Sequence, residues 1–261
     1  MRLVFFTQDE AIMLAPMLDD VLAACSEHEC RVYVFRPPGG GRLRDLRWAA
    51  RTVGIGYTVR TGAEYVHRRL LEAGERLGLW RSGRAPSVAA ATRRRGVPLI
   101  RWTGSPNAPE VVAALRAFEP DVVVSIACPR VLDEAVLAVP RLACLNVHGG
   151  RLPAYRGMHS AFWQLYHGEA AGVTAVHLMA ADVDAGPIVT EEPWQVAATD
   201  TWHGVMRKSR AAGVPALLRA LNLVQNGRLS VKPNDPSRGR RFGKPTREHV
   251  VRLRARGVRL R

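Results

Sequence analysis

Leu145-Asn146-Val147-His148-Gly149-Gly150-Arg151-Leu152-Pro153-Ala154-Tyr155-Arg156-Gly157 begins as an apolar strand and leaves it through two glycines. Asn146 and His148 are two residues apart, so an extended backbone sends both side chains to one face. The Gly149-Gly150 turn then carries the chain away with no bulky side chain to cover them. Further on, Val183-Asp184-Ala185-Gly186-Pro187 puts a carboxylate in a turn of small residues. An amide, an imidazole and a carboxylate brought together supply an oxyanion donor, a general base and a group to orient it. That set suits attack on a carbonyl.

Working outward, strands and helices alternate. Arg2 to Thr7 reads as a buried strand, Ile12 to Cys25 as a helix and Arg31 to Phe35 as a second strand, broken by Pro37-Pro38-Gly39-Gly40-Gly41. Pro98 to Trp102 is a strand, Pro109 to Phe118 a helix and Asp121 to Ile126 a continuous apolar strand. This order predicts a mostly parallel α/β sheet covered on both faces. In such sheets ligands sit outside the carboxyl ends of the strands. The ends carrying Cys128 to Leu132, Asn146 to His148 and Met179 to Gly186 are therefore expected to converge on one crevice. Met158 to His167 reads as an amphipathic helix, Gly172 to Met179 as a strand, and Pro187 to Thr190 as a further, antiparallel addition.

Two regions exceed this plan. Residues 42–95 are largely helical and basic, with Leu43, Leu46, Trp48, Tyr65, Leu70, Leu71, Leu77 and Leu79 as apolar marks, and read as a helical insertion. It could be a lid, a dimer face, an acceptor-recognition element or a packed accessory layer. Residues 193–261 read as a C-terminal appendage: a long helix from Trp202 to Val224, kinked or broken near Pro215, then short extended pieces and a basic helix over His249 to Arg256 capped by Thr246. The domain division expected is 1–192 for the catalytic part and 193–261 for this segment.

The formal net charge is +15, carried almost wholly by arginine, since the lysines are Lys208, Lys232 and Lys244. Such a balance suits nucleic acid, anionic lipid or a phosphorylated substrate, or is a solvated arginine-rich surface. No aromatic residues interleave with the basic runs as a single-strand binder requires, which supports the solvated surface, and the charge still favours encounter with an anionic substrate. No G-x-G-x-x-G follows the first strand, which disfavours a nicotinamide cofactor. Cys25, Cys30, Cys128 and Cys144 make no secreted disulfide framework, and Cys25, His28 and Cys30 lack a second ligand pair, so no metal is expected. No apolar run reaches membrane-spanning length, and the expected location is cytoplasmic.

Asn146-x-His148, six residues, Tyr155-Arg156-Gly157, then Phe162-Trp163, Gly172-Val173-Thr174 and Asp184-x-Gly186-Pro187 resemble the formyltransferases that use 10-formyltetrahydrofolate. That family includes glycinamide ribonucleotide, methionyl-tRNA and sugar N-formyltransferases. The resemblance is close from about Asp121 to Ile188, and Phe242-Gly243-Lys244-Pro245-Thr246-Arg247 rejoins it. Ser160 stands where many members have proline.

The resemblance implies a Rossmann-like sheet of the formyltransferase type and a catalytic set of Asn146, His148 and Asp184. It implies that 10-formyltetrahydrofolate lies between the loop holding Arg130, Val131 and Leu132 and the loop holding Ala181, Asp182 and Val183. The activity implied is formyl transfer to the amine of a small, anionic acceptor such as an amino-sugar nucleotide. Methionyl-tRNA formyltransferase is the alternative that the charge favours, while the length after Trp194 leaves no room for that member's C-terminal barrel. A formyltetrahydrofolate hydrolase and an inactive RNA-binding module on the same fold are further alternatives. A homodimer is a candidate assembly, tRNA stays open as a partner, and no membrane is expected. His159 and His177 are assigned no role.

Overall fold

The computed structural model describes residues 1–36 and 41–261, without the side chains of 41–43. The expected Pro-Gly break at 37–40 lies outside the described residues, as does the side chain of Leu43. In chain order the elements are β1 (Arg2–Thr7), α1 (Leu14–Ala24), β2 (Glu29–Arg36), α2 (Gly41–Trp48), a π-helical stretch (Ala49–Val53), α3 (Ile55–Arg76) and α4 (Val88–Arg94). Then come β3 (Leu99–Thr103), α5 (Pro109–Phe118), β4 (Val122–Ile126), α6 (Glu134–Leu137), β5 (Ala143–His148), β6 (Tyr155–Gly157), α7 (Ser160–His167) and β7 (Ala171–Leu178). The chain finishes with β8 (Ile188–Gln195), α8 (Trp202–Gln225), β9 (Arg240–Phe242) and α9 (Arg247–Ala255).

Seven strands form one sheet in the order β3-β2-β1-β4-β5-β7-β8. The first five run parallel, with Val124 opposite Leu145 and Phe5 opposite Val124. Leu3, Phe5, Val122 and Val124 turn to one face of the sheet, where α1 and α8 cover them; Val4, Phe6 and Val123 turn to the other, beside α5. Burial on both faces explains the unbroken apolar strands. β7 and β8 are antiparallel additions, and a register irregularity between Val176 and His177 interrupts their ladder. Asn146 lies directly opposite His177.

Residues 42–95 are largely helical, with a non-helical stretch over 77–87, and α4 docks beside α1 through Val88. The C-terminal segment is more closely joined to the rest than an appendage. Ala216, Leu217, Ala220 and Leu221 of α8 are in the main core, while Trp202, Val250 and Leu253 close a second core with Phe162 and Trp163. The expected break at Pro215 is absent: α8 runs unbroken from Trp202 to Gln225. Its buried face supplies the packing that a single lost backbone hydrogen bond cannot undo. Downstream, β9 pairs in parallel with β6. Among the described residues no helix is long and apolar enough to cross a membrane.

Candidate active site

β5 ends at His148, and the two glycines that follow leave little room for side chains, least of all at Gly150. A Cβ on Gly150 would stand 2.5 Å from the Ser160 Cβ and 3.1 Å from the His148 Nε2, and one on Gly149 would stand 2.7 Å from the Ser209 Oγ. Gln164, fully buried on α7, holds this turn. Its Nε2 donates to the Gly149 carbonyl at 3.1 Å while its Oε1 accepts from Arg151 N and Val173 N. Ser160, the departure from the resembled pattern, packs against Gly150.

The three residues singled out from sequence do meet. His148 Nε2 donates to the Tyr155 carbonyl at 2.6 Å, which fixes the hydrogen on that nitrogen. Nδ1 is left facing Asp184 Oδ2 at 3.4 Å, so it is the nitrogen that takes or yields a proton. His177 joins as a fourth member. Its Nδ1 donates to the Leu178 carbonyl at 2.7 Å, leaving Nε2 to accept from Asn146 Nδ2 at 3.0 Å. The Asn146 amide also donates to Asp184 Oδ1 at 3.3 Å. Asp184 Oδ2 accepts from Gly157 N at 2.7 Å.

The electrostatics follow from burial. Desolvation pushes the His148 imidazole below its ordinary value against the pull of Asp184, so it rests neutral near pH 7. Burial alone would raise Asp184, but the His148 imidazole and the Gly157 N–H favour the carboxylate and hold it well below the usual range. Asp184 also adopts φ 51°, a left-handed conformation that costs about 1–2 kcal/mol in a non-glycine residue. Asn234 compensates, donating from Nδ2 to the carbonyls of Asp184 at 2.9 Å and Gly186 at 2.8 Å. A Cβ at Gly186 would stand 1.9 Å from the Leu178 carbonyl oxygen, so the turn closes only around glycine.

The residues expected to hold the one-carbon donor divide. Val131 is exposed, and its carbonyl accepts from Asn107 Nδ2 at 3.0 Å; Arg130 is exposed beside it. Leu132 is fully buried in the core near Phe118 and Val136, so only its main chain can serve a ligand. In the second loop Ala181 and Asp182 are exposed, while Arg156 donates to the Val183 carbonyl at 2.9 Å and to the Asp182 carboxylate at 2.6 Å. Arg156 thus clamps one wall of the crevice. Both loops are irregular.

Two charged residues set the opposite side of the cleft. Glu10 accepts from the backbone N–H groups of Ile12, Met13 and Leu14 at 2.7–2.8 Å. It occupies the helix N-terminus that most doubly wound sheets offer to a phosphate. Arg210 on α8 adjoins Ser209, whose Oγ donates to the Gly149 carbonyl at 3.3 Å. Its guanidinium makes no hydrogen bond or ion pair with any described residue, and it lies within electrostatic reach of Glu10, His148 and His159. A cavity of about 310 Å³ opens at the carboxyl ends of β1 to β3, lined by Asp9, Arg36, Arg69, Glu72, Arg76 and Arg101.

His177, Gln164, Asn234 and Arg210 were not found from sequence. His177 reads as an ordinary residue of an apolar strand until its register against Asn146 is known. Gln164 and Asn234 act through contacts 9 to 50 residues away in the chain, for which a single sequence carries no local signal.

A doubly covered sheet with Asn, His and Asp clustered at the carboxyl end of an inner strand defines an α/β protein with a site arranged for carbonyl chemistry. The formyl transferase family model matches residues 84–221, more than half of the chain, and the chain belongs to that family. It is 33% identical over 154 residues to methionyl-tRNA formyltransferase of Synechococcus sp. (strain JA-3-3Ab), covering 59% of this chain and 48% of that protein. The enzyme of the same name from Geobacillus thermodenitrificans (strain NG80-2) is 32% identical over 153 residues, covering 58% and 47%. The chain spans about half the length of these curated relatives. Glycinamide ribonucleotide transformylase 1 from Symbiobacterium toebii superposes with a TM-score of 0.60 at 19% identity, over 90% of this chain and 92% of that one. A sugar N-formyltransferase from Shewanella sp FDAARGOS_354 gives 0.59 at 12% identity, over 97% and 87%. At those identities the likeness establishes the fold.

Proposed function

We propose that this protein is an N-formyltransferase that moves the formyl group of 10-formyltetrahydrofolate to the primary amine of a small anionic acceptor. The observation that carries this reading is the assembly of Asn146, a neutral buried His148 and an ionised Asp184 at one strand end. When the amine attacks the formyl carbon, negative charge grows on the formyl oxygen. Asn146 can turn an N–H from Asp184 to that oxygen, a bond strongest in the transition state. The attacking amine must shed a proton; His148 Nδ1 accepts it, and Asp184 stabilises the imidazolium so formed. The same proton then serves the leaving nitrogen of the folate, so the N–C bond breaks with no net proton change.

The anionic acceptor is supported by Glu10 and Arg210 together. Glu10 fills the general phosphate position, while Arg210 makes no hydrogen bond or ion pair with any described residue and lies within electrostatic reach of His148. The arginine-lined cavity lies at strands two or more removed from β5, about 10 Å or further along the sheet edge. An amine at His148 linked to a phosphate at that distance has the dimensions of a nucleotide-bearing amino sugar. Methionyl-tRNA is the second reading, favoured by the curated relatives and by the net charge of +15.

The test is tetrahydrofolate release and formyl mass gain with 10-formyltetrahydrofolate and a panel of phosphorylated amines, amino-sugar nucleotides and charged tRNA. Acceptor-dependent release, lost in Asn146→Ala and His148→Ala, is the expected outcome. Release without a formylated product would make the protein a hydrolase, and no release with any acceptor would overturn the reading. For the acceptor that works, Arg210→Ala is expected to raise KM more than it lowers kcat.

A further inference from the structure

α3 turns its apolar residues outward. Ile55, Val59, Val66, Leu70 and Leu77 are between 57% and 74% exposed, and the small Gly62, Ala63 and Ala73 share their side of the helix. Gly62 has no atom within 4 Å of where its Cβ would be. The spacing 55, 59, 62, 66, 70, 73, 77 repeats every 11 residues, close to the helical period, so the stripe runs nearly straight along about 33 Å of helix. Together these residues offer roughly 600 Å² of apolar surface, the lower end of the share each partner gives to a standard interface. Patches above a few hundred Å² are rarely left bare on a monomer.

The stripe is complementary to itself when reversed. Set two copies of α3 antiparallel about a two-fold axis at Val66, and each residue meets the one whose number makes the pair sum to 132. Leu70 then faces Gly62, Val59 faces Ala73, and Ile55 faces Leu77, so large side chains enter the gaps left by small ones. We infer that α3 is the two-fold interface of an antiparallel homodimer centred on Val66. Isologous pairing of one patch with itself is the commonest closed symmetry for such a surface.

Cysteine cross-linking reads the register directly. Val66→Cys lies on the axis and is expected to form a disulfide dimer on mild oxidation. Ile55→Cys alone is expected to give none, because its two copies lie about 33 Å apart. Ile55→Cys mixed with Leu77→Cys is expected to cross-link as a heterodimer. Unsubstituted protein sets the background from Cys25, Cys30, Cys128 and Cys144.

Sedimentation of the unsubstituted protein across the micromolar range is expected to show twice the chain mass. Leu70→Glu is expected to weaken the dimer at least tenfold with an unchanged circular dichroism spectrum, since the side chain is exposed in the single chain. A monomer throughout, a dimer indifferent to Leu70→Glu, or cross-linking of Ile55→Cys alone would each overturn the inference. So would a monomer that binds phosphatidylserine vesicles through Leu70, which would assign the stripe to a lipid surface.

Discussion

His148 and its neighbours show how burial selects protonation states. His148 is expected to keep working below pH 6.5, because its lowered pKa keeps Nδ1 free to accept a proton there. A kcat/KM profile that falls with a midpoint at or above the ordinary histidine value would contradict this. Asn146→Ala is expected to cost roughly 10²–10³ in turnover with little change in melting temperature, measured by single-turnover kinetics and calorimetry. His159 gives a separate stability prediction. Burial, with Lys244 and Arg210 nearby, lowers it to about 4, and it stacks against Trp48 with ring centroids 5.5 Å apart. The unfolded chain takes up that proton near 6.5, whereas the folded protein refuses it until about pH 4. Acidification through that window therefore favours unfolding, and thermal scans of His159→Gln should show a flatter loss than the parent.

The elements around the site hold it by side chains that reach across the chain. Asn234→Ala would strand the carbonyls of Asp184 and Gly186, and is expected to cost about 1–3 kcal/mol in urea unfolding while lowering kcat as the Asp184 turn relaxes. Pro215→Ala should act the other way, raising stability by about 1–3 kcal/mol, because Pro215 sits on the exposed side of an unbroken helix where it only deletes a hydrogen bond. These two residues also mark what could be read in advance. Asn146, His148 and Asp184 were legible because each ends a strand or sits in a small-residue turn, and the β1 to β5 strands because unbroken apolar runs demand burial on both faces. Asn234 was not, for its partners lie 48 and 50 residues earlier in the chain. Pro215 misled because local propensity favours a break where the Ala216–Leu217–Ala220–Leu221 face is anchored in the core.

At the scale of the whole molecule, charge and chain connectivity matter most. Residues 41–95 carry thirteen arginines against four carboxylates, so much of the +15 is concentrated over one end of the sheet. Raising ionic strength from low to physiological values is expected to increase the melting temperature, as screening relieves the repulsion between these groups. A melting temperature that falls with added sodium chloride would show that the ion pairs outweigh it. The pairing of β9 with β6 and the reach of Asn234 to the Asp184 turn have a consequence for biosynthesis. Asn146, His148 and Asp184 have all left the ribosome before the strap that braces the Asp184 turn. A nascent chain halted before residue 234 would contain all three and lack the side chain that holds the Asp184 turn in place, so the cluster is completed late in translation.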